Sequence, residues 1–139
     1  MPTEENKAYI RNFLDKLYNK GSLATADECI ASPLLRSAMK RTVQTLRDIF
    51  PDLCLSVEEL IAEGDQVVAR CTIGGTINQK FLGLTLVNRS VEIDYLAIYH
   101  LKEDRIKSFW FQRDALGILR QIGLFGAALV FLKFGKRMS

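Results

Sequence analysis

The apolar rhythm of this chain changes at Pro51, and that change constrains the fold more than any other feature. Before it, Tyr9, Ile10, Phe13, Leu14, Leu17 and Tyr18 recur at helical spacing. Thr3 can cap that helix, and Gly21 ends it after Asn19-Lys20. A short second helix is predicted over Thr25 to Ile30. A third runs from about Leu35 to Phe50, with Met39, Val43, Leu46 and Ile49 as its apolar stripe. Proline cannot continue a helix, so Pro51 stops it. After Pro51 the period falls to two. Leu53, Leu55 and Val57 alternate with polar residues, and Glu63-Gly64-Asp65 reads as a turn. Gln66 to Ile77 is a second strand, and Asn78 to Ser90 reads as a looser connection. Val91, Ile93, Tyr95, Ala97 and Tyr99 form a third strand. Glu103-Asp104 turns the chain into a fourth, Arg105 to Asp114. Helices followed by an antiparallel meander make an α+β fold.

The length of 139 residues suits one domain with a core of its own. Charge is unevenly spread. Residues 1–104 hold 12 basic and 15 acidic side chains, whereas residues 105–139 hold 7 basic and 1 acidic. The basic surplus is therefore a property of the last quarter, centred on Lys133, Lys136 and Arg137. Basic residues are few and the aromatics follow strand and core spacing, so nucleic acid is not expected as a partner. Cys29, Cys54 and Cys71 are scattered and His100 is the single histidine, which argues against a metal site. The thiols read as reduced core residues of a cytoplasmic protein. The polar, acidic start does not resemble a signal peptide. Helical character returns from Ala115 to Phe134. Its uninterrupted apolar run, Ile122 to Leu132, is eleven residues, against about 20 for a bilayer span.

Several residues are candidates for chemistry. Asp114 closes the fourth strand, with Gln112, Trp110 and Ser108 at period-two spacing before it, so all four should share one sheet face. A carboxylate in a partly apolar surround suits general acid–base work. Aspartate is equally a favoured N-cap for the helix after it, and the two roles are compatible. Arg70 sits mid-strand, either as an anion-binding group or as the ion-pair partner of Glu58 or Asp94. Tyr95 could offer a cavity-wall hydroxyl or be an ordinary core tyrosine. His100 lies beside a turn and is a weak catalytic candidate. Gly74-Gly75 inside a strand marks a bulge or a close backbone approach.

Read together, longer stretches resemble the SnoaL-like polyketide (ester) cyclase family. They include Leu17-Tyr18-Asn19-Lys20-Gly21, Leu46 to Leu53 (LRDIFPDL), Ile61 to Arg70 (IAEGDQVVAR), Gly75-Thr76, Phe81-Leu82-Gly83 and Trp110 to Gly123. The likeness covers residues 5–123 in the family's order. It implies the nuclear transport factor 2-like, or cystatin-like, fold, in which N-terminal helices pack on a curved antiparallel sheet to form a cone with an internal pocket. It implies a cofactor-free intramolecular aldol cyclisation, with Asp114 as the acid–base residue four positions after Trp110. Together with the strand pattern, this gives an expected substrate pocket of Trp110, Gln112, Gly75, Ile77 and Tyr95. The family usually reads Gly-Thr-His where this chain has Gly75-Thr76-Ile77, which makes the pocket more apolar.

The expectations are therefore a cofactor-free cyclase or isomerase acting on a small apolar carbonyl compound, or else a non-catalytic binder of such a molecule. Homodimerisation is expected from sheet pairing. Residues 1–123 form the SnoaL-like domain, and residues 124–139 extend it with an apolar and then a basic segment. Residues 124–137 pack on the domain, lie across a dimer or touch a membrane surface.

Overall fold

The computed structural model describes residues 2–81, 84–114, 116, 117 and 120. Three helices precede four strands. They are α1 (Pro2–Leu14), continued by a π-helical turn (Asp15–Asn19), then α2 (Ala24–Cys29) and α3 (Pro33–Ile49). The strands are β1 (Cys54–Glu63), β2 (Gln66–Phe81), β3 (Leu84–Lys102) and β4 (Arg105–Arg113). They form one antiparallel sheet in the order β1-β2-β3-β4. The helices cover one face. The order and type of these elements match the sequence reading, with four local corrections.

Helix α1 starts at Pro2, so Thr3 lies inside the first turn rather than at its cap. Helix α3 starts at Pro33, where the missing N–H costs nothing, and Ser32 caps it by accepting from Leu35 N at 3.4 Å. Asn78 to Ser90 is not a loose connection. The β2–β3 ladder runs through it, pairing Ile77 with Arg89, Asn78 with Asn88 and Gln79 with Val87. Backbone pairing propagates from the Ile73–Ile93 core and overrides the poor strand propensity of asparagine. Cys54 is exposed at the start of β1, unlike the buried Cys71.

The core lies between the helices and the inner face of the sheet. Ile10, Phe13, Leu14 and Leu17 from the first helical segment meet Val67, Ala69 and Tyr99 there, all at 2% exposure or less. A bulge between Val57 and Glu59 reverses the facing of β1, so Leu60 and Ala62 turn inward and Ile61 turns out. The α2–α3 connection is pinned to β4 by an Ile30–Ile106 bridge, with Ala31 N donating to Ile106 O at 2.9 Å. Arg36 and Arg105 both donate to the Ile30 carbonyl, closing the end of α2.

The π-helical turn is joined to the sheet by one amide. Asn19 accepts from Leu55 N at 2.6 Å and donates to Leu55 O and to Asp15 Oδ1, both at 3.0 Å. It thereby pairs with an otherwise open stretch of the edge strand. Asn19→Leu should lower stability by about 1–2 kcal/mol, because both Leu55 backbone groups lose their partner. A reduced urea midpoint with unchanged slope is the expected readout.

No helix among the described residues is long and apolar enough to cross a membrane. The helix expected over Ala115 to Phe134 falls mostly outside the described residues; Leu116, Gly117 and Arg120 within it are helical. The 123/124 boundary and the 124–139 extension lie outside them altogether.

Candidate functional site

Alternation divides the candidate residues between the two faces of the sheet. On β3, Tyr95, Ala97 and Tyr99 point inward to the helices and are buried, while Leu96 points outward. Strand β4 pairs in step, Phe109 with Tyr99, Phe111 with Ala97 and Arg113 with Tyr95. Trp110 and Gln112 are therefore on the outer face, exposed, with Trp110 at 54%. Ile77 and Tyr95 lie on the inner face at 0% and 7%. The expectation that all four line one pocket is corrected here, because a strand cannot present odd and even positions to the same side.

Gly75 has a different neighbour from the expected ligand. Its Cα faces Phe50, and a Cβ there would sit 2.7 Å from the Phe50 ring. Phe50 is itself buried at the end of α3. The glycine lets that helix end press onto β2, which is the close approach its position in a strand suggested.

The inner face gathers three of the four tyrosines. Tyr18 arrives from the π-helical turn, and Tyr95 and Tyr99 from β3, with Cys71 of β2 in register with Tyr95. The Tyr99 ring is fixed by edge contact with Phe13 and by Phe109, each at 6.1 Å between centroids. The Tyr18 hydroxyl donates to Met39 Sδ at 3.7 Å. The Tyr95 hydroxyl lies close enough to Tyr18, Tyr99 and Cys71 for polar contacts that shift their ionisation, but it makes no well-formed hydrogen bond among the described residues. Tyr95 was legible in the sequence as an inward strand residue. Tyr18 and Cys71 were not linked to it, because no local spacing brings a helix turn and two strands together.

Burial keeps these phenols protonated. Desolvation raises Tyr95 and Tyr99 well above the usual tyrosine value and pushes Tyr18 up to about 12. Tyr9, close to Cys29, is raised as well, again chiefly by desolvation. All four tyrosines of the chain are thus shifted in one direction. The neutral form is the one the fold accommodates, so stability is complete below the unfolded value and declines as pH rises past it. In a titration followed by phenolate absorbance, the folded protein should show almost no phenolate near pH 10, where half of free tyrosine is ionised. Phenolate should appear at higher pH, together with loss of the folded circular dichroism.

Asp114 follows Arg113 at the end of β4, and its N–H donates to Asp94 O at 3.1 Å. Its carboxylate is exposed and accepts from Gly117 N at 2.8 Å. A Cβ on Gly117 would collide with that carboxylate. The capping arrangement anticipated for Asp114 is therefore present. Arg113 has its guanidinium 5.2 Å from the Phe111 ring centroid. Arg70 pairs with Glu59, Nε to Oε2 at 3.4 Å, with both side chains 55% exposed. The β1 bulge brings Glu59 opposite Arg70 instead of Glu58, and Asp94 accepts from Thr72. Such an open pair contributes at most about 1 kcal/mol. His100 meets Asp65 at 3.3 Å on the surface.

Comparison with known proteins agrees with this architecture. IdmH from Streptomyces antibioticus, provisionally assigned as a polyketide cyclase, superposes with a TM-score of 0.71 at 24% identity, covering 84% of this chain and 96% of that one. TsrD from Streptomyces laurentii gives 0.64 at 24% identity, covering 83% and 95%. A SnoaL-like polyketide cyclase from Agrobacterium tumefaciens gives 0.67 at 19% identity, covering 81% and 93%. No curated protein sequence matches the chain. The sequence model of one family does match it, over residues 8–122. The chain belongs to the SnoaL-like polyketide cyclase family.

Proposed function

We propose that this protein is a cofactor-free cyclase- or isomerase-type enzyme for a small apolar carbonyl compound, with Asp114 as its base. The observation that carries this reading is the exposed Asp114 carboxylate, held at the end of β4 by its contact with Gly117 N, four residues after Trp110. Family membership supplies the reaction class.

The Asp114 carboxylate takes a proton from the carbon next to a carbonyl. The C–H electron pair becomes the C=C bond of an enolate, and the charge moves to the carbonyl oxygen. The enolate carbon then attacks a second carbonyl of the same molecule, forming the ring bond. The resulting alkoxide recovers the proton from Asp114. The test is deuterium uptake next to the carbonyl of apolar β-keto esters, followed by NMR. Wild type should catalyse the exchange, and Asp114→Asn should not. Equal exchange by both would refute the assignment of the base.

A second reading, a non-catalytic binder, is favoured by one observation. The Asp114 carboxylate is already occupied by Gly117 N and open to water. On that reading, ligand affinity falls with Tyr95→Phe and is unchanged with Asp114→Asn, and no exchange is catalysed.

A further inference from the structure

Strand β1 is one edge of the sheet, opposite the β4 edge that leads to Asp114, and nothing in the proposed chemistry uses it. Helix α1 and its π-helical turn run beside this edge and are tied to it at both ends. Asn6 Nδ2 donates to Gly64 O at 3.3 Å just past the end of β1, and Asn19 holds Leu55 near its start. Between the ties lie two hollows of about 350 and 470 Å³, and Arg11 and Asn12 line both. Val57 borders the first and Leu60 the second. Alternation decides which backbone groups face away from β2. Leu55 is one such residue, because Asn19 takes both its N–H and its C=O. Val57, two positions on, is another. From the other end, the two-residue turn at Gly64-Asp65 makes Glu63 and Gln66 a hydrogen-bonded pair, which leaves Ala62 and Leu60 open. The bulge between Val57 and Glu59 joins the two phases. Val57, Leu60 and Ala62 make no backbone hydrogen bond on the open side among the described residues. Their side chains pack inward, while Glu59, Ile61 and Glu63 point out.

We propose that this edge binds a basic, extended peptide segment of a partner protein, which adds to the sheet as a further strand beside β1. Asn19 already fills the place of a neighbouring strand's peptide group at Leu55, so the edge accepts such pairing with the helix in position. Charge sets the chemistry of the segment. Alternate side chains of the added strand stand beside Glu59, Ile61 and Glu63, so they are basic, apolar and basic in turn. Arg70 meets Glu59 from the β2 side, but that pair is open to water, and Glu63 is opposite the uncharged Gln66. In the hollows Glu4, Asp15 and Glu58 outnumber Lys7 and Arg11, so the inner side favours no acid either. The intervening side chains enter the hollows, and threonine suits them as a small polar residue of high strand propensity. A segment of the form Lys-Thr-Ile-Thr-Lys satisfies both faces in either strand direction. A second copy of this chain does not. Two β1 strands laid antiparallel about Ile61 set Glu59 against Glu63 twice, and charged residues on an edge are a common guard against self-pairing.

Amide hydrogen exchange of the full-length protein, followed by NMR, tests this with the end-capped peptide Lys-Thr-Ile-Thr-Lys as probe. Without peptide, the N–H groups of Val57, Leu60 and Ala62 should exchange fast and that of Ile61, paired with β2, slowly. Peptide on the order of 1 mM should slow the first three at least about tenfold and leave Ile61 as it was. The peptide Glu-Thr-Ile-Thr-Glu should not protect them. Ala62→Pro removes one open N–H and sets a ring against the incoming strand. Proline is tolerated on an edge strand where its N–H would face water, so circular dichroism should be unchanged and the protection lost. Glu63→Lys should weaken binding of the lysine peptide about fivefold, and it serves as the second variant if Ala62→Pro does not fold. No protection of the three amides by the lysine peptide would overturn the proposal. Equal protection by the glutamate peptide would overturn its charge basis, and binding unchanged in both variants would place the contact elsewhere. Slow exchange at all three positions without peptide would overturn it too, because the edge would then be covered by this chain itself or by a second copy.

Discussion

Asp114→Asn should reduce deuterium exchange on an apolar β-keto ester by about 10²–10⁴-fold, the usual contribution of a positioned general base. Its melting temperature should barely move. The reason lies in the cap. Asparagine retains an acceptor oxygen that can receive Gly117 N, and it ranks with aspartate at helix N-caps. Asp114→Ala removes both functions, so it should lose the exchange and also about 1 kcal/mol of stability. The pair of variants separates the two roles that this one carboxylate can hold. A third variant, Tyr95→Phe, separates the two readings: with Asp114 as the base it should leave exchange unchanged, and with a non-catalytic binder it should lower ligand affinity.

The largest effect on stability should come from Gly75→Ala. The added methyl would sit 2.7 Å from Cδ1 and 2.8 Å from Cβ of Phe50, and Phe50 is only 1% exposed. The ring cannot swing to solvent, and its Cβ is fixed to the backbone at the end of α3. Overpacking of this kind costs about 1–3 kcal/mol, measurable as a lower urea midpoint. Combining it with Phe50→Leu should cost less than the sum of the two single changes, because the smaller side chain relieves the clash. Additive costs would show that β2 and the end of α3 do not press on each other at this point.

Much of this architecture was legible before Pro51 and after it, for simple reasons. Ile10, Phe13, Leu14 and Leu17 recur every three or four positions, and only a helix buries such a set on one side. Val91 to Tyr99 alternate, and only a strand does so. The turns at Gly64 and at Glu103-Asp104 stand where the pattern is interrupted, and all three residues have positive φ. The ladder through Asn78 and Asn88 was less legible, because its support is backbone pairing that leaves no apolar signature. The β1 bulge was not legible at all. It alone decides that Ile61 points outward and that Glu59, not Glu58, meets Arg70.

The candidate site divides along the same line. The sequence by itself determined the α+β order, the family resemblance, the inward direction of Tyr95 and the place of Asp114 at a strand end before a helix. Tertiary structure alone decided which face of the sheet the helices cover. That choice put Trp110 and Gln112 outside, brought Tyr18, Cys71 and Tyr95 together inside, and filled the space beside Gly75 with Phe50. The physical reason is that alternation specifies two faces but does not say which is buried. On β4 the two sets, Phe109 with Phe111 and Trp110 with Gln112, are both partly apolar. Only helix α1, whose Phe13 packs on Tyr99 beside Phe109, breaks that tie.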